Sequence, residues 1–255
     1  MIDNDLTNWN KLAEDYHKLI SGGDFLKIHA LDGVILDLLH DPKNKKILDA
    51  GCGQGYMAKK ISDLGGNVIG VDGAEELIKI AKNTFKESQF LKFSEGDLRN
   101  PLPFKSGEFD IVLANMALMD FDPINPAIKE FSRILKNQGI FIFSIIHPLM
   151  RGKLKKNLLE KILFKPPHLE ISDYKTSIRK RWRINKLPIE TNVYHRPLEN
   201  YVQLLKENNF YIKDIREKVL NKELVKNKNN FLKFCAEIPH FLVIKAVLFR
   251  DLPVV

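Results

Sequence analysis

Three glycines and two aspartates are spaced so that they could hold a nucleotide-like ligand. Gly51, Gly53 and Gly55 form a Gly-x-Gly-x-Gly turn directly after a short apolar run, and such a turn lets a ligand approach the backbone closely. Asp72 lies 17 residues after Gly55, where a carboxylate can accept both hydroxyls of a ribose. Asp97 follows the next apolar run and can accept a hydrogen bond from an adenine amino group.

The elements that must position these residues alternate between strand and helix. Five apolar runs, separated by amphipathic helices, predict successive strands at residues 46–50, 67–71, 90–93, 109–114 and 140–146. This alternation predicts a parallel sheet with helices on both faces. The glycine turn, Asp72 and Asp97 then fall at the carboxyl ends of the first three strands, where open α/β sheets bind ligands.

The remaining segments predict a cap and a lid on one domain, residues 1–255. Two amphipathic helices in residues 1–40 form an N-terminal helical cap. The alternation stops after the fifth strand, and the irregular, basic residues 149–196 predict an inserted lid. The pattern then resumes with a helix, a strand, a polar loop and a last strand, at residues 197–207, 211–215, 221–230 and 241–248.

Composition limits the classes of function. The formal net charge is +8, and residues 151–186 contain 12 basic and 3 acidic residues, so the rest of the chain is about neutral. This basic segment could attract anions or nucleic acid, or it could be a solvated surface. Cys52 and Cys235 are the two cysteines, too few for a disulfide framework or a zinc site, and we expect no metal. The polar start and the lack of a long apolar run predict a soluble, cytoplasmic protein without a membrane span.

Four stretches together carry a resemblance to a known family. They read LDAGCGQG, VIGVDGAEELIKIAK, GDLRNPLPFKSGEFDIVLANMAL and RILKNQGIFIFSIIHP. With them the chain resembles the class I S-adenosylmethionine-dependent methyltransferases, in the small-molecule, type 11-like branch, over most of residues 9–248 except the insert and 221–238. The resemblance implies a doubly wound, Rossmann-like sheet of seven strands with an antiparallel last strand. It also implies S-adenosylmethionine as cofactor and S-adenosylhomocysteine as product.

The family's cofactor residues can be carried over position by position. The glycines of the turn would line the methionine and ribose, Asp72 would hold the ribose hydroxyls, and Asp97 and Leu98 would flank the adenine. Asn115 would offer its backbone to the methionine end, and Tyr16 would close over the cofactor. Gly73 stands where the family often has Ser or Thr. The full predicted set is Tyr16, Asp49, Gly51, Cys52, Gly53, Gly55, Asp72, Gly73, Asp97, Leu98 and Asn115.

The acceptor is predicted to lie near the ends of the fourth and fifth strands. His147 ends the fifth strand and is a candidate catalytic base; the alternative is that it caps the end of the strand before Pro148. Arg196 could bind a substrate anion or fix the start of the following helix. We expect one pocket walled by Tyr16, Asn115, His147 and the lid, with three candidate substrate residues at its rim: Tyr194, His195 and Arg196.

The favoured function is methyl transfer to an O, N or C atom of a small-molecule acceptor. One alternative is an RNA methyltransferase that holds phosphates with the basic residues 151–186. Another is a protein that binds the cofactor without turnover. A nicotinamide enzyme is disfavoured, because the glycines are spaced G-x-G-x-G rather than G-x-G-x-x-G. No Asn-Pro-Pro-aromatic sequence follows the fourth strand, which argues against methylation of exocyclic base amines.

Overall fold

The computed structural model describes residues 4–155, 168–184 and 187–250. The strands are β1 (Lys46–Ala50), β2 (Asn67–Asp72), β3 (Leu91–Glu95), β4 (Phe109–Asn115), β5 (Leu135–Ile146), β6 (Lys153–Lys155), β7 (His168–Glu170), β8 (Ile178–Trp182), β9 (Thr191–His195), β10 (Phe210–Arg216) and β11 (Phe241–Leu248). The α-helices are α1 (Asn4–Ser21), α2 (Gly33–Leu39), α3 (Tyr56–Asp63), α4 (Glu75–Thr84), α5 (Asn125–Ile134), α6 (Leu198–Glu207), α7 (Lys222–Val225) and α8 (Asn230–Phe234).

Seven of these strands form one doubly wound sheet in the order β10-β11-β5-β4-β1-β2-β3. β11 runs antiparallel to both β5 and β10, whereas the other pairs are parallel. The predicted fold class is confirmed. The chain leaves β1 for β2 on one side and later returns to β4 on the other. This reversal opens a crevice at the carboxyl ends of β1 and β4.

Two apolar layers cover the sheet. Alternate residues of a strand point to opposite faces, so Leu48 packs in one layer with Phe131 and Phe143, while Ile47 packs in the other with Ile35. Burial on both faces explains why the sequence of these strands is continuously apolar. The same burial fixes the strand ends, and with them the residues that follow each strand.

The structure corrects the prediction in two helical regions. The second N-terminal helix is not regular: a π-helical stretch, Lys27–Asp32, precedes α2. The predicted loop at 221–230 contains α7 and ends at the start of α8. Both short helices have an asparagine cap, since Asn221 accepts a hydrogen bond from the Glu223 amide (2.9 Å) and Asn229 accepts one from the Leu232 amide (3.0 Å).

The insert, predicted to be irregular, contains two small antiparallel pairs, β6 with β7 and β8 with β9. The hairpin formed by β8 and β9 is tied to α1 by side chains. Asp5 accepts hydrogen bonds from Asn192 and from the Tyr194 hydroxyl (2.9 Å). Asn8 also donates to the Glu190 carbonyl (3.2 Å). The lysines of the basic segment at 156, 161, 165 and 186 lie outside the described residues.

The division of residues 1–255 into a body, a helical cap at 1–40 and a lid at 149–196 stays a prediction. The described elements of the insert and of the N-terminus do contact each other, as the bonds of α1 with β9 demonstrate. Within the described ranges, no helix is both long enough and apolar enough to span a membrane.

Candidate functional site

A cavity of about 930 Å³, counted to its open mouth, lies at the carboxyl ends of β1, β2 and β4. We call it the switch-point cavity. Residues of α1 cover it, and residues after β3 and β4 complete its wall. Ten of the eleven predicted cofactor residues line it: Tyr16, Asp49, Gly51, Cys52, Gly53, Asp72, Gly73, Asp97, Leu98 and Asn115.

The glycine turn combines left-handed backbone with close packing. Gly51, Gly53 and Gly55 have φ of +76°, +55° and +83°, which L-residues with a Cβ rarely adopt. A Cβ on Gly51 would lie 2.4 Å from the Cβ of Ala117, and one on Gly55 would lie 2.6 Å from the Phe93 ring. Gly55 is therefore required for packing, and it is the predicted residue that does not line the cavity.

Asp72 connects the glycine turn to the end of β2. One carboxylate oxygen accepts a hydrogen bond from the Gly53 amide and the other accepts one from the Ala74 amide, both at 2.8 Å. Burial raises the pKa of Asp72, and the two amides partly oppose that shift. Each oxygen keeps a lone pair for a further donor, so the carboxylate is oriented and still able to accept two hydroxyls.

Asp49 is the most deeply buried acid of the cavity wall, with 1% of its surface exposed. Burial, with a further contribution from the charge of Asp72, raises its pKa to about 7. Neither carboxylate oxygen makes a hydrogen bond of regular geometry with the described residues, and the Ala58 amide only partly opposes the rise in pKa. A buried acid whose oxygens lack well-aligned hydrogen-bond donors is stabilised when a bound ligand places a cation or an N–H or O–H donor beside it.

Asp97 is engaged by a residue that the sequence did not identify. The Arg99 guanidinium donates to both of its oxygens, from Nε at 2.9 and 3.1 Å and from Nη2 at 2.6 Å. Arg99 itself lines the cavity. Asp97 is therefore already ion-paired in the cavity wall, and a ligand bound there would contact both Asp97 and Arg99.

The end of β4 has a constrained backbone at the cavity wall. Asn115 accepts a hydrogen bond from the Ser144 hydroxyl (2.7 Å), and the Met116 amide donates to that same hydroxyl oxygen (2.9 Å). Met116 has φ of +58°, an uncommon conformation for a residue with a side chain. Strain of this kind concentrates at functional sites, and only the structure could show it.

Tyr16 and Lys27 form the N-terminal side of the cavity. The Lys27 ammonium donates to the Tyr16 hydroxyl at 2.7 Å, and Trp9 packs edge-on against the Tyr16 ring at 5.3 Å between centroids. Burial by itself would lower the pKa of Lys27, but Tyr16, Asp24 and Asp120 outweigh it and hold that pKa above its ordinary value. Lys27 was not predicted, because it comes from the irregular π-helical stretch.

The remaining predicted site residues line a second cavity, which we call the lid cavity. It lies between the end of β5 and the hairpin β8–β9 and is mainly apolar. Its wall includes Met119, Ile145, His147, Trp182, Tyr194, His195 and Arg196. The structure thus places Tyr16 and Asn115 in one cavity and His147 in another, rather than in the single pocket predicted.

His147 is buried, and both of its ring nitrogens are engaged. Nε2 lies 2.6 Å from a carboxylate oxygen of Glu217, and Nδ1 accepts a hydrogen bond from the Leu149 amide (3.1 Å). The second contact makes it the cap of the turn after β5. This geometry favours the structural alternative, and the catalytic role of His147 stays a prediction.

Arg196 holds the loop that follows β4. Its guanidinium donates to the carbonyls of Leu118 (3.0 Å) and Phe121 (2.7 Å) and to the carboxylate of Asp122 (2.6 Å). This planar cation is 6% exposed, and three of its hydrogen bonds are made within the protein. The substrate role predicted for Arg196 has no support from these contacts.

The other two candidate substrate residues also make contacts within the protein. Tyr194 donates its hydroxyl to Asp5, and His195 Nε2 lies 2.8 Å from the Tyr174 carbonyl oxygen. Their side chains form part of the lid cavity wall. A role in substrate binding stays a prediction for both.

Comparisons with known proteins agree with this geometry. A family model described as a methyltransferase domain matches residues 48–143. The malonyl-[acyl-carrier protein] O-methyltransferase of Buchnera aphidicola subsp. Baizongia pistaciae is 33% identical over 138 residues, which cover 53% of this chain and 54% of that protein. The chain thus spans about half the length of that relative.

Two further matches cover most of the chain. An uncharacterized protein of Methanocaldococcus jannaschii is 27% identical over 240 residues, 84% of this chain and 90% of that protein. The structure of an S-adenosylmethionine-dependent methyltransferase from Mesorhizobium loti superposes with a TM-score of 0.71 at 19% identity, covering 84% of this chain and 96% of that one. This likeness shows that the two proteins have the same fold.

Proposed function

We propose that the chain is a class I S-adenosylmethionine-dependent methyltransferase, as its match to a methyltransferase domain over residues 48–143 supports, and that it transfers the cofactor's methyl group to an O, N or C atom of a small-molecule acceptor. The observation that carries the proposal is the switch-point cavity, in which the glycine turn, Asp72 and the end of β4 meet. S-adenosylmethionine supplies the activated methyl group on its sulfonium when bound. The protein's own task is to orient the two reactants and exclude water.

The residues of the cavity fit this cofactor. Asp72 is oriented to accept the ribose hydroxyls, and Gly51 and Gly53 leave room for the ribose and methionine beside the backbone. Asp97 and Leu98 flank the adenine in this proposal. A sulfonium cation bound nearby would favour the ionised form of Asp49, which then adds negative charge on the side where the cofactor's sulfur would lie.

The methionine carboxylate needs a cation, and Lys27 fits that need. Lys27 and Arg99 are the cations of the described cavity wall, and Arg99 is already bound to Asp97. The bond from Lys27 to Tyr16 (2.7 Å) directs the ammonium toward the helix that covers the cavity. We assign this pair to the carboxylate of the cofactor.

A small-molecule acceptor is supported by the names of the relatives, which include O-methyltransferases of malonyl-[acyl-carrier protein] and of ubiquinone biosynthesis. RNA methylation through residues 151–186, and cofactor binding without turnover, stay alternatives. A cytoplasmic location is part of this proposal.

The experiment is calorimetric titration of S-adenosylmethionine into the wild type and Asp72→Ala. Loss of charge-assisted hydrogen bonds to the ribose, each worth about 1.5–3 kcal/mol, should weaken binding by at least about tenfold. Asp63→Ala, which removes an exposed side chain at the end of α3, should bind as the wild type does. Equal affinity of wild type and Asp72→Ala would contradict the site.

Turnover is then tested with a panel of amines, phenols and carboxylic acids, by release of S-adenosylhomocysteine. Release that depends on one member of the panel, and that Asp72→Ala abolishes, supports methyl transfer. Tight cofactor binding without release across the panel would favour the alternative without turnover.

A further inference from the structure

Asp120 is an acid of the switch-point cavity that the sequence did not identify as part of the site. It lies four residues beyond Met116 in the loop after β4 and lines the cavity together with Asn115. Its carboxylate is partly buried and makes no hydrogen bond with the portion of the chain that the structure describes. An acid in a ligand cavity with its acceptors unused is available to a substrate.

The lid and the sheet hold Asp120 in place. The three bonds from Arg196 fix the residues before and after it. The Asp120 amide donates to the Ala117 carbonyl (2.9 Å), and the neighbouring carbonyl of Met119 accepts a bond from the Tyr194 amide (2.7 Å). The carboxylate is therefore presented to the cavity by a loop that is anchored on both sides, which is the preorganisation that catalytic groups require.

The charges that face Asp120 identify the acceptors that the cavity can hold. The described wall contains five acids, Asp5, Asp49, Asp72, Asp97 and Asp120, against Lys27 and Arg99. Because Arg99 is paired with Asp97 and Lys27 is the other cation of the described wall, the wall is net negative even when Asp49 keeps its proton. An anionic acceptor would be repelled, whereas an amine or a hydroxyl group would be accepted.

The environment also makes Asp120 a stronger base than a solvated carboxylate. Burial raises its pKa well above the ordinary value; Lys27 opposes the shift, and Asp72 and Asp5 add to it. A general base is most effective when its pKa approaches the working pH.

We propose that Asp120 is a catalytic residue, the base that takes the proton of an amine or hydroxyl acceptor as that acceptor is methylated. This inference rests on the proposed function. The lone pair of the acceptor N or O forms a bond to the methyl carbon, and the carbon–sulfur bond breaks with its electron pair left on sulfur. The acceptor's proton passes to a carboxylate oxygen of Asp120. The products are the methylated acceptor, neutral S-adenosylhomocysteine and protonated Asp120.

The first test needs no knowledge of the acceptor. Sinefungin is a cofactor analogue with an ammonium group in place of the methylsulfonium, so it presents N–H donors where the acceptor reacts. The wild type should bind sinefungin about tenfold more tightly than S-adenosylhomocysteine, measured by calorimetry. Asp120→Asn should lose that preference and bind S-adenosylhomocysteine within about twofold of the wild type, which also shows that the variant is folded.

Asp97→Asn is the matched control, because it removes a carboxylate from another part of the same cavity. It should weaken both ligands equally and leave their ratio unchanged. A sinefungin preference that survives in Asp120→Asn would overturn the proposal. Failure of the wild type to bind either ligand would contradict the proposed function itself, and this inference with it.

The second test is turnover on the same panel of amines, phenols and carboxylic acids. Amines or phenols should be methylated in preference to carboxylic acids, and Asp120→Asn should lower kcat on them by about a hundredfold or more while KM for the cofactor changes little. Faster methylation of carboxylic acids, or an unchanged kcat in Asp120→Asn, would overturn the proposal.

Discussion

Four aspartates of the switch-point cavity have the same side chain and four different surroundings. Asp72 is held by two backbone amides, Asp97 by Arg99, and Asp49 is enclosed beneath the glycine turn. Asp120 alone of these four combines partial exposure with no hydrogen bond among the described residues. These surroundings suit the tasks that we propose for three of the acids: orientation of a ligand by Asp72, pairing with a cation by Asp97, and proton transfer by Asp120.

Arg196→Lys should destabilise the protein by about 1–3 kcal/mol, because one ammonium cannot replace a planar guanidinium at three acceptors and leaves buried carbonyls unsatisfied. It should also weaken the preference for sinefungin, since the loop that presents Asp120 relaxes. Urea unfolding and calorimetry measure the two effects. Arg216→Lys, at an exposed ion pair on β10, is the control and should change stability by less than about 0.5 kcal/mol. Equal stability of Arg196→Lys and the wild type would contradict this role of Arg196.

The sequence predicts only part of this site. The glycine turn and Asp72 follow from spacing, because parallel strands bring their carboxyl ends together. Lys27, Arg99 and Asp120 depend on tertiary contacts that spacing does not encode. For Asp120 the decisive contact comes from Arg196, which reaches a carbonyl 78 residues earlier in the chain.

At the scale of elements, α1 is a cover whose position depends on both the sheet and the lid. A Cβ on Gly73 would lie 2.7 Å from the Leu6 side chain, and one on Gly53 would lie 3.7 Å from the Tyr16 ring. The start of α1 also bonds to β9 through Asp5. The sequence predicted α1 from its helical spacing. It did not predict that β8 pairs with β9, because the residues of β8 are mostly exposed and lack the alternation of a half-buried strand.

Tyr194→Phe should loosen α1 from the lid, because it deletes the hydroxyl that donates to Asp5. We expect S-adenosylhomocysteine to dissociate about fivefold faster, the effect of one net hydrogen bond, and amides of α1 to exchange hydrogen faster. Stopped-flow displacement and hydrogen exchange measure these changes. Tyr211→Phe, on exposed β10, should leave both unchanged. An unaltered dissociation rate in Tyr194→Phe would show that the contact does not restrain the cover.

At the scale of the whole molecule, burial on both faces makes the central sheet predictable from sequence. The bounds of β1 to β4 were predicted within two residues, because an apolar run bounded by turns is typical of such strands. β5 was predicted from residue 140, but it begins at Leu135. The two short strand pairs of the insert were not predictable in this way. They cover only part of a cavity, so their strands are not buried on both faces. The central sheet therefore follows from local sequence patterns, whereas the residues around the proposed acceptor site are positioned by contacts between distant parts of the chain.

The buried acids at the centre of this framework should make the ligand-free fold sensitive to pH. The pKa of Asp49 is raised from 3.8 to about 7, so between these values the folded protein keeps a proton that the unfolded chain has lost. Its contribution to stability therefore falls as pH rises through this window, by up to about 1.4 kcal/mol per pH unit. Urea unfolding of wild type and Asp49→Asn from pH 5 to 8 should show the variant's relative stability increasing with pH.

His240 changes stability with pH in the opposite direction to Asp49, but it is present in both wild type and Asp49→Asn, so its effect cancels when the two are compared. Burial lowers the pKa of His240 to about 4, so its contribution to stability rises with pH up to about 6.5 in both proteins. A stability difference between wild type and Asp49→Asn that stays constant from pH 5 to 8 would contradict the proton held by Asp49.

The bonds that join α1 to β9 also have a consequence for the order in which ligands bind and dissociate. α1 covers the switch-point cavity and β9 forms a wall of the lid cavity, and Asp5 fastens one to the other. We expect that neither opening widens fully while the other stays closed. We expect a cofactor enclosed in this way to enter first and leave last, in an ordered bisubstrate sequence. S-adenosylhomocysteine would then compete with S-adenosylmethionine but not with the acceptor.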